Sequence, residues 1–287
     1  MTYFNNQAYQ ALVNDLINDA FYLEGASRRG TIAKIRQYAE VVVRRILDLP
    51  SGATVELGNG KLQFKIKEKN NMPLLNAVKA INKIGSECTH TKSIREITED
   101  DVNNTINHLF VLYASLLIEY FEINEFGSNA EIVHSFSILP PIIRYITLEY
   151  LYDKYPDNLM IIDKMSLVLL KALNKKAALG WIQDRKEILE GKHSVTEKGY
   201  KEMVDKLGAE IASILYSDAP NMYDLCIERV ELVAQDIKNR GKLYDDFESA
   251  IDFYQKDGIV SGSSPEIKEF NSIMEFLYLG RKSNRGE

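Results

Sequence analysis

The chain has 287 residues, of which 45% are hydrophobic and 26% charged, so it can bury about three quarters of its unfolded surface in one large or two ordinary domains. Its formal net charge of −6 argues against a phosphate-binding surface covering the whole molecule and leaves only local basic patches open. Only two cysteines are present, Cys88 and Cys226, which excludes a disulfide framework and a zinc site built from cysteine pairs.

Neither a leader sequence nor a membrane span is expected. The N-terminus MTYFNNQAYQ lacks the basic region and the apolar core of a signal peptide. No run approaches the roughly 18 uncharged apolar residues needed to cross a bilayer. We therefore expect a soluble cytoplasmic protein with reduced thiols and no membrane contact.

The first predicted elements are two helices and a hairpin. Apolar residues recur three or four apart over residues 5–24 and 31–48, which predicts two amphipathic helices joined by the segment GASRRG. Over residues 54–66 the apolar period becomes two, and the sequence Gly-Asn-Gly at 58–60 interrupts it. This pattern predicts a short β-hairpin inserted between helices.

Two further helices follow, each with a clear start signal. Pro73 is typical of the first turn of a helix, and the apolar spacing after it predicts a third helix that runs into INKIGSECTHTK at 81–92. Thr98 can cap the next helix, and the acidic residues at 99–101 suit the positive end of its dipole.

The remaining sequence predicts a second helical domain. The segment Phe-Gly-Ser-Asn at 126–129 is the candidate boundary, since helical periodicity resumes after it. We therefore expect an all-α protein with one helical domain at 1–126 and another at 130–280. The polar, basic segment 281–287 has no apolar anchor and is predicted to be a disordered tail.

Gly85, Lys83 and His90 are the residues of most chemical interest. A glycine inside a helix costs about 1 kcal/mol relative to alanine, so Gly85 predicts a close approach by a neighbouring element. His90 follows Lys83 by seven positions, which places both on one helix face about 10 Å apart along the axis. Either they form a reactive pair, or Lys83 is a solvated charge and His90 closes the helix.

Basic residues cluster in the first two helices. They could contact the phosphates of RNA or DNA, or they could form ion pairs within the domain, as the one-turn spacing of Arg36 and Glu40 suggests. The candidate nucleic-acid-binding residues are Arg28, Arg29, Lys34, Arg44 and Arg45. No ligand-spaced set of side chains predicts a metal, and no phosphate loop or dinucleotide motif predicts a cofactor.

Three segments together resemble the HEPN superfamily, and in particular a HEPN-related domain attached to bacterial restriction and defence proteins. They are IRQYAE at 35–40, INKIGSECTH at 81–90 and TEDD at 98–101, and the resemblance covers about residues 5–125. It implies a bundle of four to five helices. In active members it also implies metal-independent RNA cleavage at a site shared by two protomers, where a histidine moves the 2′-hydroxyl proton and an arginine stabilises the phosphate.

The sequence departs from that pattern at the catalytic pair. Lys83 stands where the arginine would be, with six residues between it and His90, and Ser86 occupies the place of the usual asparagine or other polar residue. Lysine lacks the two-pronged geometry that suits phosphate. The first hypothesis is therefore a non-catalytic assembly subunit of a bacterial antiviral-defence or restriction-type complex, with a nuclease or ATPase subunit as partner. The alternatives are an endoribonuclease that uses His90 and Lys83 in a homodimer formed through the HEPN-like domain, and a nucleic-acid sensor.

Overall fold

The structure is a computed structural model that describes residues 4–91 and 93–284. Over these residues the chain forms fifteen α-helices and no strand, so the predicted all-α class is confirmed. The chain divides into two compact units. Unit 1 comprises Met1–Thr147 and Asp246–Glu287, and unit 2 comprises Leu148–Asp245.

Nine of the helices lie wholly or partly in unit 1, and six lie in unit 2. In unit 1 they are α1 (Asn6–Ile17), α2 (Arg28–Ile46), α3 (Gly60–Glu68), α4 (Met72–Thr89), α5 (Glu99–Ile123), α6 (Ala130–Phe136), α7 (Pro141–Lys154), α14 (Phe247–Phe253) and α15 (Pro265–Tyr278). Single π-helical turns follow α1 (Asn18–Tyr22) and α14 (Tyr254–Gly258). In unit 2 they are α8 (Leu159–Ala172), α9 (Lys175–Gln183), α10 (Lys186–Glu190), α11 (Glu197–Leu207), α12 (Ala209–Asp218) and α13 (Met222–Arg240).

The core of unit 1 forms where α2, α4 and α5 pack against one another. Apolar residues three or four apart give each helix one face for this core. The buried ring of Tyr38 on α2 lies 6.1 Å from the ring of Tyr113 on α5 and 6.3 Å from the ring of Phe276 on α15. The last helix of the chain therefore completes a core that the first half begins.

The predicted β-hairpin is wrong, because its second arm is helix α3. Leu62 and Ile66, four residues apart, are both buried, whereas Phe64 between them is exposed. A period of two and one helical turn place these residues on one face equally well, so the pattern did not discriminate. The side chain of Asn59 accepts hydrogen bonds from the backbone amides of Lys61 and Leu62, so it caps α3 instead of forming a hairpin turn.

The predicted start of α5 is confirmed. The hydroxyl of Thr98 accepts from the amide of Asp101, and the carboxylate of Asp101 accepts from the amide of Thr98, which is a reciprocal capping box. Contrary to the sequence analysis, α5 is long and apolar enough to cross a bilayer, but 56% of its most apolar window is buried. This burial is the one expected for the core helix of a soluble protein.

The predicted domain boundary at 126–130 lies inside unit 1. Phe121, Phe126 and Phe136 form a buried aromatic cluster, with ring centroids 4.8, 5.3 and 5.6 Å apart. Because these rings pack across the Gly-Ser-Asn segment, the chain does not separate into domains there. It passes into unit 2 only within α7 and returns to unit 1 at Asp246.

The prediction of a disordered tail is wrong for residues 281–284, and residues 285–287 lie outside the described residues. The guanidinium of Arg281 donates to the hydroxyl of Tyr113 at 3.0 Å and pairs with Glu248 at 3.4 Å. It also lies 4.4 and 4.6 Å from the ring centroids of Phe21 and Phe247, with only 3% of the side chain exposed. The anchor is thus a stacked arginine, which a search for apolar residues does not find.

A tyrosine from the first π-helical turn joins this buried network. The hydroxyl of Tyr22 donates to the carboxylate of Glu248 and accepts from the backbone amide of Lys282 at 3.2 Å. Burial, and then the bond to Glu248, raise the pKa of Tyr22 to about 12. The neutral phenol therefore connects the π-helical turn after α1 to the backbone at Lys282.

Unit 2 has its core between α8, α9 and α13. Asp163 on α8 is buried and pairs with Arg229 on α13 at 2.6 Å. Helices α11 and α12 form an antiparallel-type helical hairpin through Gly208, whose φ of 84° is one that glycine adopts without strain. None of the residues of α11 is buried, so this hairpin presents much of its surface to solvent.

Candidate functional site

Helix α4 positions the residues that the sequence analysis selected. Asn71 caps it by accepting from the amide of Leu74, and Pro73 occupies its first turn as predicted. The helix ends at Thr89, and the amide of His90 donates to the carbonyl of Ser86 at 3.1 Å. His90 therefore lies where the α4 backbone turns into an extended conformation, which agrees with the interpretation that it closes the helix.

Gly85 is required by a close contact with Arg36 of α2. A Cβ atom at Gly85 would lie 2.3 Å from Cδ and 2.7 Å from Cβ of Arg36, so a side chain at this position would push α2 and α4 apart. The predicted close approach is confirmed, although the neighbour is a side chain and not a backbone. The Arg36 guanidinium pairs with Glu40 at 3.5 Å, as the spacing predicts, and lies 3.5 Å from the side-chain oxygen of Asn82.

Lys83 and His90 line the same open groove on α4, which we call the α4 groove. Its volume is about 580 Å³. It is lined by Asn82, Lys83, Ser86, Glu87, His90 and Ser93. The side chains of Lys83 and His90 are both exposed. Among the described residues, neither has a hydrogen-bond or ion-pair partner that would fix its orientation.

The wall of the α4 groove is held by two arginines, one of which the sequence analysis did not consider. Arg95 binds the carboxylate of Glu87 at 2.8 Å and that of Asp101 at 2.7 Å. The hydrogen bond from Arg95, with that from the amide of Thr98, holds the pKa of Asp101 at about 2. Glu87 is thus engaged by Arg95 and is not placed to orient His90. Lys92, beside these residues, lies outside the described part of the chain.

Arg29 is the second arginine, and it binds three backbone carbonyls. Its guanidinium donates to Glu87 at 2.8 Å, to Ser93 at 2.9 Å and to Arg95 at 2.7 Å. The Glu87 carbonyl belongs to the last turn of α4, where no helical partner remains for it, and the other two carbonyls belong to the segment that follows the helix. Its role in unit 1 is to fix the segment that follows His90.

The other predicted nucleic-acid-binding residues also have partners within unit 1. Arg28 pairs with Glu99 at 3.3 Å, and Lys34 pairs with Asp19 at 2.8 Å. Arg44 donates to the carbonyl of Ala53 at 2.8 Å. The structure therefore distributes these cations over several separate contacts.

Arg45 differs from the others in being inaccessible. Its side chain is 2% exposed, pairs with Glu269 at 3.0 Å and donates to the hydroxyl of Ser272 at 3.1 Å. Burial lowers its pKa, and the nearby carboxylate of Glu269 acts in the opposite direction. Arg45 therefore ties α2 to α15 and does not face solvent phosphate.

A shallow groove between α1 and α2 contains the remaining polar cluster of the first helices. Asp15, Asp19, Lys34 and Glu40 line it. Burial raises the pKa of Glu40, and the guanidinium of Arg36 counteracts this effect. Lys34 is already paired with Asp19, so the groove carries more acid than free base. Among the described residues, no group of three His, Cys, Asp or Glu side chains is arranged to hold a metal ion.

Unit 2 carries two solvent-facing apolar surfaces that the sequence analysis did not identify. The first, which we call the α12 stripe, consists of four side chains that are each about half exposed. They are Leu207 (47%), Ile211 (52%), Ile214 (56%) and Leu215 (47%). Ile211, Ile214 and Leu215 lie three and four residues apart on one face of α12, and Leu207 is the last residue of α11. A signal was present in the sequence, since α12 is flanked by turn residues and has too many apolar residues for one buried face.

The orientation of the α12 stripe is fixed from the opposite side of the helix. Ala212 is buried, and the ring of Tyr216 stacks on the imidazole of His193 at a centroid distance of 3.9 Å. His193 Nε2 also lies 2.9 Å from the carbonyl of Tyr216. Because this face of α12 is attached to unit 2, the stripe points away from it.

The second surface is a groove between α9 and α13, which we call the α9–α13 groove. It includes Lys175, Lys176, Leu179, Gly180, Ile227 and Glu231. Lys175 and Glu231 form an ion pair across it at 2.5 Å. Gly180 forms part of its floor, and a Cβ atom there would have no neighbour within 4 Å.

No family model, curated protein or solved structure matches the chain. The resemblance to the HEPN superfamily accordingly remains a prediction from the residues of α2, α4 and α5.

Proposed function

We propose that this protein is a non-catalytic assembly subunit of a bacterial antiviral-defence or restriction-type complex and acts in the cytoplasm. The observation that carries the proposal is the α12 stripe, a row of half-exposed aliphatic side chains on a helical hairpin. Contiguous apolar surface of this kind is typical of sites that bind another protein. The complex type follows from the resemblance of residues 5–125 to defence-associated domains.

The state of the α4 groove supports a non-catalytic role. General acid–base catalysis requires a positioned imidazole whose partners hold it toward the proton that it transfers. His90 has no such partner among the described residues, and Lys83 offers a mobile point charge in place of a guanidinium. Glu87, the carboxylate nearest in sequence, is bound by Arg95.

The proposal is tested by replacing one residue of the α12 stripe. Ile214→Asp places a charge at its centre, and Ile188→Asp on α10 is the matched control because Ile188 is 58% exposed and lies outside the stripe. Each variant is co-expressed with the nuclease or ATPase subunits encoded beside it, and complexes are isolated by affinity tag and size exclusion. We expect wild type and Ile188→Asp to retain the partner and Ile214→Asp to lose it. Equal binding by all three forms, or binding of no neighbouring product, would contradict the proposal.

A second candidate function is endoribonuclease activity, favoured by the observation that Lys83 and His90 line one groove. Purified protein is incubated with single-stranded and structured RNA, with and without a chelator. His90→Ala and Lys83→Ala are compared with His134→Ala, which removes another exposed histidine of unit 1. Cleavage that His90→Ala and Lys83→Ala abolish and His134→Ala preserves would establish the nuclease and exclude the non-catalytic role.

A further inference from the structure

Among the described residues of unit 2, no close contact requires a glycine at position 180. It lies inside α9, where glycine costs about 1 kcal/mol relative to alanine. Elsewhere in this chain such a glycine has a packing reason, as Gly85 does. At Gly180 a Cβ atom would point into open space. A helix surface without a side chain, next to Leu179 and Ile227, is suited to the close approach of a second helix.

The charges at the ends of α9 and α12 are each unfavourable within their own helix. α9 begins with Lys175 and Lys176 at the positive end of its dipole, and no acidic residue lies in its first turn. α12 ends with Asp218 at the negative end of its dipole, and no basic residue lies in its last turn. Like charge at a helix end is destabilising. The end of α12 and the start of α9 are therefore electrostatically complementary to each other.

The ion pairs of these helices support the same charge complementarity between α12 and α9. Lys175 is already bound to Glu231, whereas Lys176 and Asp218 have no ion-pair partner among the described residues. α12 carries Glu210 and Asp218 and no cation. A helix with the composition of α12 thus offers an apolar side and acidic ends, and the α9–α13 groove offers an apolar floor and a basic end.

We propose that a second copy of this chain occupies the α9–α13 groove with its α12 stripe, so that the protein assembles head to tail. The inference rests on the proposed function and deepens it, because the stripe holds copies of this chain together and the neighbouring subunits bind the assembly that results. In this arrangement Asp218 of one copy faces Lys176 of the next, and Gly180 lets the backbone of α12 approach α9. Because each copy gives its stripe to one neighbour and receives the stripe of another, the contact is heterologous and generates a ring or an open chain.

The first measurement is the mass of the purified protein as a function of concentration, by sedimentation or light scattering. We expect wild type to form species larger than a dimer. Ile214→Asp should weaken assembly by roughly thirtyfold, the loss expected when a buried aliphatic side chain is replaced by a charge. Ile188→Asp should assemble like wild type. A wild type that stays monomeric at its solubility limit would overturn the inference.

Gly180→Leu tests the groove without damaging the fold. Its side chain enters open space in the monomer and favours the helix, so thermal stability should not fall, yet it fills the floor of the groove and should abolish assembly. Gly60→Leu is the matched control, since a Cβ atom at Gly60 also has no neighbour within 4 Å. Assembly of Gly180→Leu at the wild-type affinity would overturn the inference.

A mixing experiment decides whether the contact is head to tail. Gly180→Leu retains an intact stripe, and Ile214→Asp retains an intact groove. At a concentration between the dissociation constants of wild type and Ile214→Asp, each variant alone should be monomeric, and an equimolar mixture should form a 1:1 dimer that grows no further. A mixture that stays monomeric would mean that stripe and groove are not partners and would overturn the inference.

The outcomes separate this inference from the proposed function. Loss of a defence subunit by Ile214→Asp, combined with a monomeric wild type, would support the proposed function and overturn self-assembly. Head-to-tail assembly without any binding of neighbouring gene products would support self-assembly and contradict the proposed function.

Discussion

Replacing Gly85 with alanine tests the packing of α2 against α4. On helix propensity alone, alanine should stabilise α4 by about 1 kcal/mol. The structure predicts the opposite sign, because the new methyl group would lie 2.3 Å from Cδ, 2.8 Å from Cγ and 2.7 Å from Cβ of Arg36. The long side chain can move its Cδ and Cγ atoms, but its Cβ is fixed to the α2 backbone. Overpacking of this kind costs about 1–3 kcal/mol, which cancels or outweighs the propensity gain, so we expect a net loss of up to about 2 kcal/mol.

The matched control is Gly180→Ala, where the added methyl group meets no atom within 4 Å. There the propensity gain should appear unopposed, as a stabilisation of about 1 kcal/mol. Urea unfolding is followed by far-UV circular dichroism and by the fluorescence of Trp181, the single tryptophan, which lies in unit 2. Adding Arg36→Ala to Gly85→Ala should restore only part of the loss, since Cβ remains. A Gly85→Ala variant that is stabilised as much as Gly180→Ala would refute the account of α2–α4 packing.

Three further predictions concern the tail, the cysteines and acid stability. Arg281→Met should lower the free energy of unfolding by about 3 kcal/mol, because it leaves the poorly solvated carboxylate of Glu248 without its cation, and a loss under about 1 kcal/mol in urea unfolding would contradict the anchoring role. At pH 8 a thiol-labelling reagent should modify half-buried Cys88 well before Cys226, since burial raises the pKa of Cys226 to about 11; equal labelling rates by intact-mass spectrometry would argue against the buried position. The pKa of Asp101 is about 2 when folded and 3.8 ordinarily, so its stabilisation is present above pH 4 and is lost as the pH falls toward 2; the melting-temperature difference between wild type and Asp101→Asn should shrink over that interval, and a constant difference would refute the assignment.

Local signals predicted much of unit 1. The capping role of Thr98, the first-turn position of Pro73 and the pairing of Arg36 with Glu40 depend on residues within a few positions of one another, and the structure confirms all three. The requirement for glycine at position 85 was also predictable, because a helix interior disfavours glycine without a reason. The hairpin was mispredicted because residues at i and i+4 satisfy a period of two and a helical turn alike.

Contacts between residues far apart in the sequence could not be predicted from such local signals. Arg45 pairs with Glu269, which is 224 positions away, and Arg281 binds the hydroxyl of Tyr113 across 168 positions. The sequence around one residue of such a pair does not indicate its distant partner. The discontinuity of unit 1, the anchored tail and the internal use of the basic residues all depend on contacts of this kind. The basic residues of the first helices were therefore predicted to contact solvent or phosphate, although in the structure they bind carboxylates and backbone carbonyls.

The free-energy cost of exposing side chains to solvent favours the α12 stripe over the α4 groove as a binding surface. Solvated side chains such as Lys83 and His90 cost the folded protein little, so their presence in a groove is weak evidence of use. A half-exposed aliphatic side chain lacks about 1 kcal/mol of the stabilising free energy that its full burial would contribute. For the four residues of the α12 stripe this free energy sums to about 4 kcal/mol. If a partner covered all four, it would correspond to roughly a thousandfold in the dissociation constant. Covering the α12 stripe would therefore recover free energy that the folded protein does not gain by itself, whereas the solvated side chains of the α4 groove have no comparable apolar surface to bury.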